Sequence, residues 1–124
     1  MITKEHAKIG NYQDIINQLG GNKFLTMTGS KILYYGYDSN GYIYLMLKLA
    51  KNPSKATHLK IQYNSNDLYN LEFIKFEKVL NLEYKAIGIK IYDEVSTVIK
   101  VYTDVYADNL QDIFTRVTGL LTRL

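Results

Sequence analysis

The 124-residue sequence is 47% hydrophobic, contains no cysteine and carries a formal net charge of +3. That size predicts one domain with a core of its own, and the apolar content excludes disorder. Disulfides, thiolate catalysis and sulfur-ligated metal centres are excluded with the cysteines. An acidic mimic of DNA is excluded by the sign of the charge, while 13 Lys with only 2 Arg is a weaker basic signature than a dedicated DNA binder shows.

Neither a membrane-length apolar run nor a secretory apolar segment is visible, so the expected location is the cytoplasm. Asn52-Pro53-Ser54 cannot accept a glycan, because proline occupies its middle position.

In chain order, residues 1–10 read as a mobile lead-in and residues 11–124 as one domain. Asn11 is placed to cap a helix, with Asp14 in the capping-box position. Tyr12, Ile15, Ile16 and Leu19 then form one apolar stripe, which Gly20-Gly21 ends. Residues 23–29 read as a first strand with Phe24 and Met27 in the core. Residues 31–37 and 42–49 flank Asp38-Ser39-Asn40-Gly41, whose Asn-Gly pair predicts a type I′ hairpin. The second of these strands is apolar on both faces, which predicts a central strand or an oligomer contact.

A polar basic loop follows at 50–57. Leu59, Ile61 and Tyr63 alternate with polar residues, residues 64–67 carry turn chemistry, and Tyr69, Leu71 and Phe73 alternate again. The apolar phase flips at Phe73-Ile74, which predicts a bulge or a bend. Residues 83–91 and 96–102 read as two more strands, with Asp93-Glu94 in their connection. A terminal helix capped by Thr103 or Asp104 is predicted to line Tyr106, Leu110, Ile113, Phe114 and Val117 along one side, ending at Gly119. The fold class is therefore α+β: an antiparallel, strongly bent sheet of six or seven strands, a short N-terminal helix and a longer amphipathic C-terminal helix.

Catalytic chemistry has few anchors. His6 and His58 are the only histidines, and nothing near His58 resembles a nucleophile elbow, so a surface histidine is the expected reading. Gly20-Gly21-Asn22-Lys23 is read as preceding a strand, whereas a phosphate loop must open a helix; Gly29-Ser30-Lys31 lacks the glycine spacing. Asp104, Asp108 and Asp112 at spacings of four put three carboxylates on one helical face, a possible divalent-cation site; a solvated surface is the favoured alternative. No metal, cofactor or enzymatic activity is expected. Lys48, Lys51, Lys55 and Lys60 cluster around one loop with Tyr42, Tyr44 and Tyr63 on nearby strands. Lysines with aromatic residues on a sheet are one way to hold single-stranded nucleic acid.

Four segments carry a resemblance. They are Gln18-Leu19-Gly20-Gly21-Asn22-Lys23-Phe24 with Met27-Thr28-Gly29, then Leu59-Lys60-Ile61, then residues 66–73, and finally the block from Val105 to Thr115 running on through Thr118-Gly119-Leu120. Together these resemble a small protein family common in bacteriophages, prophages and related mobile elements. Two places depart from it: residues 87–101 are longer and more apolar, and Arg123 stands where serine is usual. The family offers no catalytic residues to carry over. The resemblance implies an accessory phage gene, of the kind that encodes inhibitors of host defence such as anti-CRISPR proteins, or helpers of phage DNA metabolism. The expected function is thus a non-catalytic protein that binds a host defence component in the bacterial cytoplasm. Asp108, Asn109, Gln111, Asp112, Asn66 and Asp67 are its candidate contacts, because core packing does not explain them. The alternatives are nucleic-acid binding through the lysine and tyrosine set, or a nucleotide or small-ligand sponge. The apolar surplus in residues 42–49 and 87–101 predicts a homodimer.

Overall fold

The computed structural model describes residues 9–122. The first helix, α1, spans Tyr12–Leu19. Asn11 caps it, its side-chain oxygen accepting the Asp14 N–H at 3.0 Å. The predicted stripe is the buried face, with Ile15, Ile16 and Leu19 at most 2% exposed. Gly20 turns the chain at φ +123, its N–H donating to the Ile16 and Asn17 carbonyls. A Cβ there would press on Phe24 and on the Gln111 amide, each at 3.2 Å, and no L side chain adopts that φ comfortably.

A second helix, α2, begins at once and spans Gly21–Thr28. This corrects the predicted strand over 23–29. Phe24 and Thr28 are four residues apart and both buried, which is helical spacing. The Thr28 hydroxyl donates back to the Phe24 carbonyl at 2.7 Å. The predicted core partner Met27 is only half-buried.

Five strands follow: β1 (Lys31–Tyr37), β2 (Ile43–Lys48), β3 (His58–Tyr63), β4 (Tyr69–Leu80) and β5 (Tyr92–Val105). They form one antiparallel sheet in the order β1-β2-β3-β4-β5. Six or seven were predicted. The count falls because residues 23–29 are helical and residues 83–91 are the connection of one long hairpin. Leu-Glu-Tyr-Lys-Ala forms the short helix α3 (Leu82–Ala86), with the Asn81 side chain accepting the Glu83 and Tyr84 N–H groups. Good helix formers behind a cap override the β-branched run after them. Asp93 and Glu94, predicted in a connection, lie inside β5 instead.

The hairpin at 38–41 forms with a different turn from the one predicted. A type I′ turn needs positive φ at both central residues. Here Gly41 takes positive φ, at +88, and Asn40 does not. The Asp38 carboxylate closes the loop by accepting the Asn40 and Tyr42 N–H groups at 2.8 and 3.0 Å. At Phe73-Ile74 the predicted irregularity is present: Phe73 pairs with Lys100 and Ile74 with Val98, leaving Ile99 as an extra residue in β5.

One sheet face carries the core. Ile43, Leu45 and Leu47 of β2, Leu59 and Ile61 of β3, and Leu71 and Phe73 of β4 are at most 1% exposed. They pack in one cluster with α1, α2 and the last helix, α4 (Leu110–Thr118). Phe24 and Phe114 meet there edge-to-face, ring centroids 4.9 Å apart. β5 runs on to Val105 and a 3-10 turn, Ala107–Asn109, precedes α4. The terminal helix therefore starts later than predicted, and Tyr106, expected in its apolar stripe, is 64% exposed.

Of the lead-in, Ile9 is tied to the sheet by a bridge to Tyr42, its N–H donating to the Gly41 carbonyl at 2.7 Å. Residues 1–8, with His6, and residues 123–124 lie outside those described. Among the described residues no helix is long and apolar enough to cross a membrane.

Candidate functional site

The β3–β4 turn is built from the side chain of Asn64, whose oxygen accepts the Asn66 and Leu68 N–H groups at 2.9 and 3.3 Å. Asp67 completes it in the left-handed region, at φ +60, a conformation that Asp and Asn tolerate better than other side chains. The Asp67 carboxylate accepts the Tyr63 hydroxyl at 2.7 Å. That bond, with some burial, pushes the Tyr63 phenol up to about 12, because ionising it would set two negative charges side by side.

Beneath this turn lies a cleft of about 290 Å³ between α1, the sheet and the start of the C-terminal segment. Asp14 and Gln18 of α1 line one wall, and Tyr63, Asp67 and Tyr69 line the other. Asp14 and Gln18 are four apart and so share a helix face. Tyr69 is 6% exposed; burial raises its pKa, and its hydrogen bond with Gln18 works against that rise. A second hollow, of about 250 Å³, adjoins the first through Gln18 and Ala107 and is lined further by Asp108 and Gln111. Tyr42 stands beside Tyr63, ring centroids 5.9 Å apart. Carboxylates over phenol rings favour a cation, and a guanidinium most, because it can pair with a carboxylate while stacking on an aromatic ring.

The predicted contact residues separate into two groups. Asp67, Asp108 and Gln111 come together on these adjoining hollows. Asn66 does not: its amide donates to the Asp104 carboxylate at 3.2 Å, beside a 3.0 Å bond from Asn64. It pins the turn to the end of β5. Asn109 and Asp112 are exposed, at the N-cap and in the first turn of α4. The residues the sequence reading missed are Asp14, Gln18 and Tyr69. Nothing local marks them: they sit in α1 and at the start of β4, and only the tertiary fold brings them together.

Asp104, Asp108 and Asp112 do not share a helical face, which corrects the spacing argument. Asp104 is in β5, Asp108 in the 3-10 turn and only Asp112 in α4. Among the described residues no group of three or more His, Asp or Glu side chains could hold a metal ion. Residues 20–23 open a helix, so the strand-based objection to a phosphate loop falls. A helix precedes them, however, and the Gly20 N–H is already taken by α1.

Among the described residues, α1, α2 and α4 pack on the core face, and the opposite sheet face is the more open one. Register places Tyr44, Lys48 and Lys60 on this face, with Lys31 paired to Lys48 across β1 and β2. Lys60 Nζ lies 5.2 Å from the Tyr44 ring centroid. Lys51 and Lys55 are exposed in the 50–57 loop, while Tyr42 and Tyr63 belong to the acidic end. The predicted nucleic-acid set is thus split three ways. His58 shares this open face with Leu33, Tyr34, Met46, Phe76 and Glu94 around a shallow hollow of about 240 Å³. Thr57 Oγ1 sits 2.7 Å from His58 Nδ1, which invites comparison with a catalytic triad. The order of groups is wrong for one. The hydroxyl meets Nδ1, the nitrogen an orienting acid would occupy, and it is committed to the Phe76 N–H at 2.9 Å and the Ile74 carbonyl at 3.3 Å. Burial and the Lys48 charge lower the His58 pKa, against a partial upward pull from Glu94.

No family model, no curated protein and no solved structure matches this chain.

Proposed function

We propose that this chain is a non-catalytic binding protein whose acidic, tyrosine-lined cleft receives a basic side chain of a partner protein. The observation that carries the reading is the convergence of Asp14, Gln18, Tyr63, Asp67 and Tyr69 on one cleft from elements far apart in the sequence. Its volume is at the lower limit of small-ligand pockets. One arginine or lysine side chain fits that scale better than a nucleotide does. The chemistry also favours binding over turnover: Asp67 holds the proton on Tyr63, the reverse of what a phenolate nucleophile or base needs. In the phage setting that the resemblance implies, the partner is a host antiviral-defence component and the protein acts as its inhibitor in the bacterial cytoplasm.

The test is retention of host proteins from bacterial lysate by the wild type and by an Asp14→Asn/Asp67→Asn variant, followed by titration of the retained protein. Removing the charged acceptors should weaken binding by about 10- to 100-fold, as lost charge-assisted hydrogen bonds do. Equal retention by both proteins refutes the reading.

A second reading rests on the open face, where Lys60 lies over Tyr44 beside Lys48 and Lys31. It is an accessory factor for single-stranded nucleic acid. It requires oligonucleotide binding that weakens steeply between 50 and 200 mM salt, on the order of tenfold or more. Binding that ignores salt, or survives Lys48→Glu/Lys60→Glu, removes it.

A further inference from the structure

We infer that β5 is a self-pairing edge, along which two copies of this chain join antiparallel through the arm formed by residues 76–101. The inference is independent of the cleft, which lies at the other end of the β4–β5 hairpin.

β5 is the last strand of the sheet and is 14 residues long. One side bonds to β4; the other presents a row of backbone donors and acceptors at an edge, the surface that templates pairing with another strand. Natural edges are kept apart by being short, by proline, by charged side chains or by bulges. This one is long and has no proline, and its residues 92–98 pair with β4 without a register shift, the bulge and Lys100 coming after them. Residues 82–101 are exposed throughout, because the helices cover only the far half of the hairpin. Eleven of the exposed large apolar residues lie between Val79 and Val101, among them Leu82, Ile87, Tyr92, Val98 and Val101. At the 150–250 Å² of a large side chain, and at about half exposure, these present roughly 900 Å² of surface. A monomer's largest apolar patch is about 300–600 Å², and one partner in a standard interface buries about 800 Å². Summed over both faces of the hairpin and its connection, the arm therefore leaves more apolar surface in solvent than a monomer ordinarily does.

Charge selects the occupant. Asp93 pairs with Val79 and Lys100 with Phe73. Val79 and Phe73 are six residues apart in one strand, so Asp93 and Lys100 lie on the same sheet face. Ile99 is the extra residue of the bulge. Two β5 strands running antiparallel about Ser96 therefore set Asp93 of each copy opposite Lys100 of the other. A parallel arrangement would set like charge against like. The strand is complementary to itself in one direction only, as a two-fold interface requires.

The test is light scattering on the full chain at about 50 μM, with hydrogen exchange of the β5 amides on dilution. The expected mass is twice 14.3 kDa, with β5 protection that falls as the protein is diluted. Lys100→Asp should give a folded monomer by circular dichroism, and Asp93→Lys/Lys100→Asp should restore the dimer. A wild type that scatters as one 14.3 kDa species overturns the inference, including one that instead floats with phospholipid vesicles. So does a dimer that Lys100→Asp leaves intact, or a charge-swapped protein that stays monomeric.

Discussion

Replacing Asp67 with Asn tests the electrostatics of the cleft at one atom. Asn keeps the size and tolerates the positive φ that Asp67 adopts, so the turn should survive while its charge is removed. In the native protein the Tyr63 phenol is pushed up to about 12 from 10.0, first by the hydrogen bond to Asp67, then by burial and by the carboxylate charge. Its folded value lies above its unfolded one, so the neutral phenol stabilises the fold. That contribution is present in full below pH 10 and is lost as pH rises from 10 through about 12. At ~1.4 kcal/mol per pH unit the gap bounds the contribution at ~2.7 kcal/mol. The pair faces solvent, and screening reduces the contribution to about 1 kcal/mol. Carbon-13 NMR of the tyrosine Cζ resonances against pH measures the titration directly. Tyr63 should move toward the ordinary phenol range in Asp67→Asn, and the variant should lose less stability to urea between pH 9 and pH 11 than the wild type does, Tyr69 keeping its own share. If Tyr63 titrates at the same pH in both proteins, the carboxylate is not what holds its proton.

Phe114→Ala should cost about 3–5 kcal/mol, since Phe114 is fully buried against Phe24; the midpoint of urea unfolding reads it. Asn52→Ala should cost about 2 kcal/mol, because the 8%-exposed Asn52 amide bridges the Ala50 and Ala56 carbonyls at 2.8 and 2.9 Å and its oxygen accepts from Ser54. Faster proteolysis within residues 50–57 should accompany it. Lys48→Gln should raise the His58 pKa by removing the one charge that lowers it, burial remaining as the larger cause, as followed by NMR of the ring protons. The His58 value is depressed on folding, so its stabilising contribution is present above pH 6.5 and is lost as pH falls through the folded value. The variant should therefore lose less stability on mild acidification than the wild type.

Legibility followed the range of the forces involved. The stripe of α1 and the alternation of Leu59, Ile61, Leu71 and Phe73 were readable because one residue's burial predicts the next at a fixed period. The segment 23–29 was not. Seven residues hold too few periods to separate Phe24 and Thr28 as a helical pair from an alternating strand, and the partner against which Phe24 packs in α2, Phe114, lies 90 residues further on. At 83–91 the apolar run misled, because Asn81 and a five-residue helix settle the turn locally. Asp67, Asp108 and Gln111 were legible as polar residues that no core explained. Asp14 and Tyr69 looked like a helix-start acid and a strand aromatic, and only the tertiary fold sets them in one cleft.

The cleft and the arm lie at opposite ends of β4, whose 12 residues span about 40 Å at ~3.4 Å per residue. A dimer along β5 would therefore be a two-headed binder, and its advantage would depend on how the partner is presented. Against a single basic peptide in solution, dimer and monomer should bind alike, since each cleft acts alone. Against a partner that is itself oligomeric, or densely immobilised, the second cleft binds at an effective concentration set by the first, and avidity can add 10²–10⁴-fold without a new contact. Lys100→Asp separates the two effects: about unchanged affinity for the peptide, with a loss on the order of 10²-fold or more on a dense partner surface. Asp67→Asn should weaken both. If Lys100→Asp weakens the peptide complex as well, the arm takes part in binding itself and the two surfaces are not separate devices.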